Sequence, residues 1–191
     1  MDDIVKQAMA KWPNVPHCYG WLALDARGNW RMRDEAAQRA NAPGDKLANA
    51  ALVGFINRNY AHDDKGRWYF QNGPQRVYVN LEATPFIACT DPSQGFVLQT
   101  GQALAAVEAA YMTDAGAVIL QAGEIVAQLD DRDVAQVLAR MELDGQPASV
   151  EAIMAWLEDD SAELTLDRVK VERLSADALQ RRFGYVQAPG T

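Results

Sequence analysis

Three residues in the front half of this 191-residue chain could together run nucleophilic chemistry. Cys18 offers a thiol, His62 an imidazole to take its proton, and Asp63 (or Asp64 beside it) a carboxylate to orient the ring. Such a His/Asp or Cys/His arrangement is the machinery of a small hydrolase, with its site in a cleft between the front and back parts of the chain. No local signature accompanies it: G-x-S-x-G is absent, and neither cysteine sits in a recognisable nucleophile motif. His62-Asp63-Asp64 reads more simply as a solvated loop whose carboxylates bond to nearby backbone.

Other chemistries find less support. Structural zinc draws its ligands from close pairs such as C-x-x-C, whereas His17 and Cys18 are adjacent and would point to opposite faces of a strand. No metal site is expected, and Cys18 and Cys89 read as small buried hydrophobes. Asp130-Asp131-Arg132-Asp133 lacks the Gly and Glu of a calcium loop and suits a helix start. Neither glycine-rich phosphate motif occurs, so no nucleotide cofactor is expected. The net charge of -8 repels a phosphate backbone, which argues against nucleic acid. Without an apolar run of roughly 20 residues or a secretory leader, the expectation is a cytoplasmic protein with no membrane partner.

The strongest candidate for a binding surface is aromatic. Arg67-Trp68-Tyr69-Phe70-Gln71 and Arg76-Val77-Tyr78 are extended runs joined through Asn72-Gly73-Pro74, a hairpin signal. Alternation gives Trp68 and Phe70 to one face and Arg67, Tyr69 and Gln71 to the other. The second face, with Arg76 and Tyr78, would present aromatic rings and guanidinium groups to a protein partner, a second copy or a flat ligand. The competing reading covers both faces with the helices at 2–11 and 46–58.

The elements that would hold these groups are legible in outline. Asp25-Ala26-Arg27-Gly28-Asn29-Trp30 is echoed by Asp63-Asp64-Lys65-Gly66-Arg67-Trp68, two turns of one design in which Asp caps local donors and Gly takes a positive φ. Helices are expected at 2–11, at 34–40, and at 46–58 with Asp45 as its cap. Strands are expected at 19–24, 29–32, 67–71, 76–81, 86–89, 96–99, 105–112, 117–121 and 124–129. The spacing of Val134, Val137, Leu138 and Met141 predicts a helix over 131–141, and that of Val150, Ile153, Met154 and Leu157 another from Ser149. Asp144 to Pro147 would join these two as packed neighbours. Residues 163–171 read as one strand bulged near Asp167-Arg168, followed by a helix capped by Ser175 and stopped by Gly184.

Charge is unevenly spread. Residues 1–100 carry 11 basic and 10 acidic side chains, but residues 101–191 carry 7 and 16. The expected fold is α+β, antiparallel hairpins with packed helices. It divides into an aromatic part at 1–90 and an acidic, aliphatic part at 91–191, unless the two share one core.

Trp12-Pro13-Asn14-Val15-Pro16, Cys18-Tyr19-Gly20-Trp21-Leu22 and the run from Gly66 to Tyr78 resemble an uncharacterised proteobacterial family, a domain of unknown function of about this size. The resemblance covers most of the chain. It implies a bacterial cytoplasmic setting and an aromatic hairpin that matters to the fold or to a partner, and it lends no catalytic residues. The expected function is a non-enzymatic binding or regulatory module.

Overall fold

The computed structural model describes residues 1–159 and 161–190. They form two compact units, residues 1–85 with 184–190, and residues 86–183. Six helices and two sheets are present among the described residues, and strands outweigh helices.

In the first unit the order is α1 (Asp3–Lys11), β1 (Cys18–Leu24), β2 (Trp30–Met32), α2 (Glu35–Arg39), β3 (Asp45–Lys46), α3 (Ala50–Arg58), β4 (Tyr60–His62), β5 (Trp68–Asn72) and β6 (Gln75–Leu81). The strands make one sheet in the order β3-β2-β1-β6-β5-β4, with β1 and β6 parallel and the other pairs antiparallel. Leu22 and Leu24 of β1 stand opposite Val79 and Leu81 of β6, and Leu22, Phe70 and Val77 lie on the face that receives Leu52, Phe55 and Ile56 of α3. Phe55 of α3 meets the ring of Phe70 edge-on at 5.4 Å, and Asn57 accepts a hydrogen bond from the Trp30 indole at 2.7 Å.

The second unit runs β7 (Phe86–Asp91), β8 (Gly95–Leu98), β9 (Ala109–Met112), β10 (Val118–Ala122), β11 (Ile125–Leu129), α4 (Val134–Leu138), β12 (Met141–Leu143), β13 (Gln146–Pro147), α5 (Val150–Glu158), β14 (Leu164–Leu166), β15 (Val169–Arg173) and α6 (Ala176–Phe183). Its sheet is β13-β12-β14-β15-β9-β10-β11-β7-β8, with β9–β15 and β7–β11 parallel. One face buries Ala110, Met112, Val118 and Leu120 against Val137, Ile153 and Trp156 of α4 and α5. The other buries Tyr111, Ile119 and Val126 against Leu179 of α6. No described helix is long and apolar enough to cross a membrane.

The two echoed turns are one device, and the fold uses it four times among the described residues. In the loops starting at Asp25, Asp63, Leu98 and Thr113, the first residue's N–H donates to the carbonyl four residues on, at 2.8–3.1 Å. A glycine in the fourth position donates back to the first residue's carbonyl. Each of those glycines has φ between 71° and 84°, the left-handed turn-plus-bulge geometry of a three-residue hairpin loop. Asp25 and Asp63 add a carboxylate that accepts the N–H groups of the third and fifth residues, and Thr113 Oγ1 takes that of the fifth alone.

Several expectations are corrected. The helix expected at 46–58 begins at Ala50, because Asn49 rather than Asp45 caps it, accepting the Leu52 N–H at 3.0 Å, while Asp45 joins β3. The strand expected at 105–112 is confined to 109–112. The two expected helices are present as α4 and α5, but they are not joined by a simple turn: α4 stops at Leu138 rather than 141, and Asp144-Gly145, at φ 49° and 74°, turns a tight hairpin between β12 and β13. Residues 163–171 are not one bulged strand but two, β14 and β15, because Asp167 and Arg168 both take positive φ, 48° and 71°. The sheets are mixed rather than built from antiparallel hairpins alone. The expected parts at 1–90 and 91–191 are also redrawn, since the Val186 N–H donates to Gly66 O at 3.0 Å and the Leu81 N–H to Gln187 O at 2.8 Å, which returns 184–190 to the first unit.

Positive φ at both central residues is the geometry in which Asp-Gly is favoured and a side chain such as arginine is strained. Arg168→Gly is expected to stabilise the chain by about 1 kcal/mol, and Gly145→Ala to destabilise it by a similar amount. Urea unfolding followed by circular dichroism checks both; equal midpoints for the two variants would contradict this account of the turns.

Candidate functional site

Cys18, His62 and Asp63 all lie in the first unit, and its sheet keeps them apart. Cys18 on β1 pairs with Val77 of β6, and His62 on β4 pairs with Trp68 of β5. β1 and β4 are three strand steps apart, roughly 14 Å at the usual spacing. His62 is exposed, its ring 4.9 Å from that of Trp68 and its Nδ1 3.0 Å from the Asp63 carbonyl oxygen. Burial pushes the Cys18 thiol up, away from the reactive thiolate. The hydrolase site therefore does not assemble. Among the described residues no cluster of three or more His, Cys, Asp or Glu is placed to hold a metal ion.

Asp63 is committed elsewhere. Oδ1 accepts the N–H groups of Lys65 and Arg67, each at 3.0 Å. Oδ2 accepts from Arg67 Nε at 2.9 Å and from the Tyr78 hydroxyl at 3.0 Å, with Arg67 Nη2 also 2.8 Å away. Burial would raise this carboxyl, but the Arg67 backbone and side chain, Tyr78 and Lys65 outweigh it and bring it down to about 2. Arg67 in turn lies over the Tyr78 ring at 4.7 Å, Tyr19 stacks on that ring at 4.7 Å, and Arg76 lies over Tyr69 at 4.4 Å.

The register Tyr69↔Tyr78 and Gln71↔Arg76 puts Arg67, Tyr69, Gln71, Arg76 and Tyr78 on one face of the sheet. That face is not the open one expected of it. Tyr69, Gln71 and Tyr78 are buried, so only the half-buried guanidinium groups of Arg67 and Arg76 approach water. The reason is packing: each ring is covered by another ring or by a guanidinium plane.

The accessible apolar ground lies on the opposite face. Between α3 and the sheet is an open cleft of about 350 Å³ lined by Trp21, Leu22, Met32, Leu52, Phe55 and Phe70, among others, with Cys18 and Asn72 at its edge. Trp21, Met32 and Leu52 at this cleft are 39%, 41% and 37% exposed, three large apolar side chains left in water around one opening. Sequence reading missed the cleft. Its signals were present: Met32, at the end of β2, stands between Arg31 and Arg33, and Leu52 widens the apolar stripe of α3.

Residues 1–190 match the family described as "Protein of unknown function (DUF2946)". Among solved structures, the fold is similar to a DUF1285 family protein from Silicibacter pomeroyi DSS-3, with a TM-score of 0.50 at 15% identity, covering 88% of this chain and 87% of that one. A DUF1285 family protein from Shewanella baltica OS155 superposes with a TM-score of 0.42 at 15% identity, over 61% of this chain and 88% of that one. The first likeness speaks to the fold alone, and the second is too loose to support an argument. The curated proteins give no match.

Asp63→Asn keeps an oxygen for the Lys65 and Arg67 N–H groups but removes the charge that Arg67 and Tyr78 bind. The expected loss is on the order of 1–3 kcal/mol in urea unfolding at neutral pH. Because the folded carboxyl titrates at about 2, below its ordinary 3.8, its contribution is complete above about pH 4 and is lost as the pH falls towards 2. The variant should therefore show a shallower loss of stability across that window, with Asp130, also near 2, supplying what remains. An unchanged acid limb would refute the assignment.

Proposed function

The chain belongs to this family of proteins of unknown function, and we propose that it acts as a non-enzymatic binding module whose receptor is the apolar cleft between α3 and the sheet. The carrying observation is the exposure of Trp21, Met32 and Leu52 around that one opening. Leaving apolar area in water forfeits about 25 cal/mol per Å², so three such side chains at one mouth favour any apolar group that covers them. Tryptophan and methionine are residues that protein interfaces concentrate at their centres. The volume lies within the range of pockets that hold a small ligand. The occupant we assign is an apolar side chain of a protein partner, with the aliphatic and aromatic walls selecting it and no charge inside to orient it. The two cysteines are unpaired thiols, which supports a reducing, cytoplasmic setting.

Guanidinium groups stacked on buried tyrosines brace the sheet from its other side, and the module's chemistry is recognition rather than catalysis. Indole, as a stand-in for the apolar side chain, should give saturable shifts of the Met32 and Leu52 methyl resonances in ¹³C NMR. Leu52→Asp should abolish them. Position 52 lies in the first turn of α3, where a carboxylate suits the helix dipole, so the variant should melt within a few degrees of the native chain. Shifts that persist in Leu52→Asp, or no shifts at all, would count against the cleft as receptor.

A further inference from the structure

On the sheet face away from the cleft is a second pocket of about 390 Å³, lined by apolar groups such as Leu24, Pro43 and Leu81 and by the charged and polar side chains of Asp25, Arg31, Arg33, Asn80 and Glu82. Register sets Arg31, Ala23 and Asn80 abreast across β2, β1 and β6. The Arg33 N–H, donating to Trp21 O at 2.8 Å, continues the β2 pairing one residue further. Alternation then turns Arg31 and Arg33 to the pocket and Met32 to the cleft. The strap at 41–44 forms one wall, held by Arg33 Nε to Ala42 O at 3.0 Å, Arg33 Nη2 to Asn41 Oδ1 at 3.2 Å and Arg31 Nη1 to Gly44 O at 3.0 Å.

The charges here are unequally matched. Arg31 is paired with Asp25 at 2.7 Å. Arg33 is only 7% exposed, yet among the described residues it has no ion-pair partner, and both its hydrogen bonds go to neutral oxygens. A guanidinium carries five N–H donors, so Arg33 keeps three to offer. A nearly buried cation without a counter-ion is costly, and one beside an open pocket points to an anion that completes it. The Asn80 amide lines the same pocket and makes no side-chain hydrogen bond to the described residues. The carboxylates nearby are already engaged: Asp25 accepts from Arg27 N, Asn29 N, Asn29 Nδ2 and Arg31 Nε, and Glu82 Oε2 accepts the Ala26 N–H at 3.0 Å.

We propose that this pocket binds a small ligand through an oxyanion, a carboxylate or a phosphate, gripped by the Arg33 fork and seconded by Arg31 and the Asn80 amide. The planar fork of a guanidinium matches either group with two parallel hydrogen bonds. Two arginines against Asp25 and Glu82 leave the lining formally neutral. The anion is therefore recognised at contact, by donor geometry, rather than drawn in by a long-range field. This site is independent of the apolar cleft, from which the sheet separates it.

The test titrates the intact chain with succinate, with inorganic phosphate and with sodium chloride at matched ionic strength, followed through the Arg33 Nε–H and Asn80 side-chain amide signals in ¹⁵N NMR. Saturable shifts of both signals with succinate or phosphate, and none with chloride, are expected; the tighter of the two identifies the group. Asn80→Ala, which removes a side chain that holds nothing else in place, should weaken binding by a factor of roughly three to ten. Arg33→Lys, which keeps the charge but loses the fork, should weaken it roughly tenfold or more. Shifts that match the chloride control, or equal affinity in the native chain and Asn80→Ala, would overturn the proposal and leave Arg33 as a clamp on the strap.

Discussion

The carboxylate of Asp63 is nearly out of water, and a buried anion persists only where donors replace the hydration it has lost. Four groups do so here, two of them backbone N–H from its own loop and two of them side chains, Tyr78 from β6 and Arg67 from the residue before β5. The local bonds close the hairpin between β4 and β5, and the distant bond to Tyr78 ties that hairpin to β6. One acid thus couples turn geometry to sheet order. Asp25 repeats the local half of this arrangement and replaces the distant half with Arg31 of the neighbouring strand.

From that constraint follows the division of labour between the sheet's faces. With Arg67 and Tyr78 drawn towards Asp63, and Tyr19 and Tyr69 packed on Tyr78, the aromatic and guanidinium face closes on itself. Such a face is rigid because its rings and charges satisfy one another, and it leaves little free area for a partner. The α3 face is built from aliphatic and aromatic groups without directional bonds, so its packing leaves room, and the room is the cleft.

What the sequence made legible was local. The echoed Asp…Gly turns, the β5–β6 hairpin, the facing of Tyr69 with Tyr78 and the caps of α5 and α6 all rest on contacts within a few residues, where residue type determines geometry. The failures are equally physical. Val134 to Met141 has helical spacing, but Met141 is claimed by pairing with Leu166, a partner distant in sequence. Asp167-Arg168 gave no Gly to announce a left-handed turn, because the strands on either side impose it. The burial of Gln71 and Tyr78, the parallel pairing of β1 with β6, and the exposure of Trp21 all depend on which strands become neighbours. Periodicity does not encode that. Of the site, Arg31 and Met32 were readable as neighbours in the strand expected at 29–32, but not that Arg33 extends its pairing or which pocket each face would meet.

The return of residues 184–190 to β6 and to the Asp63 loop makes the first unit discontinuous, with the second inserted between its parts. A ribosome releases the chain in order, so the last residue of the inserted unit emerges before the host's final stretch does. Gly66 shows how close that late arrival is: a Cβ there would sit 1.6 Å from Gly184 O. Until the last stretch docks, Gly66 O and the Leu81 N–H remain without the partners they hold in the finished fold.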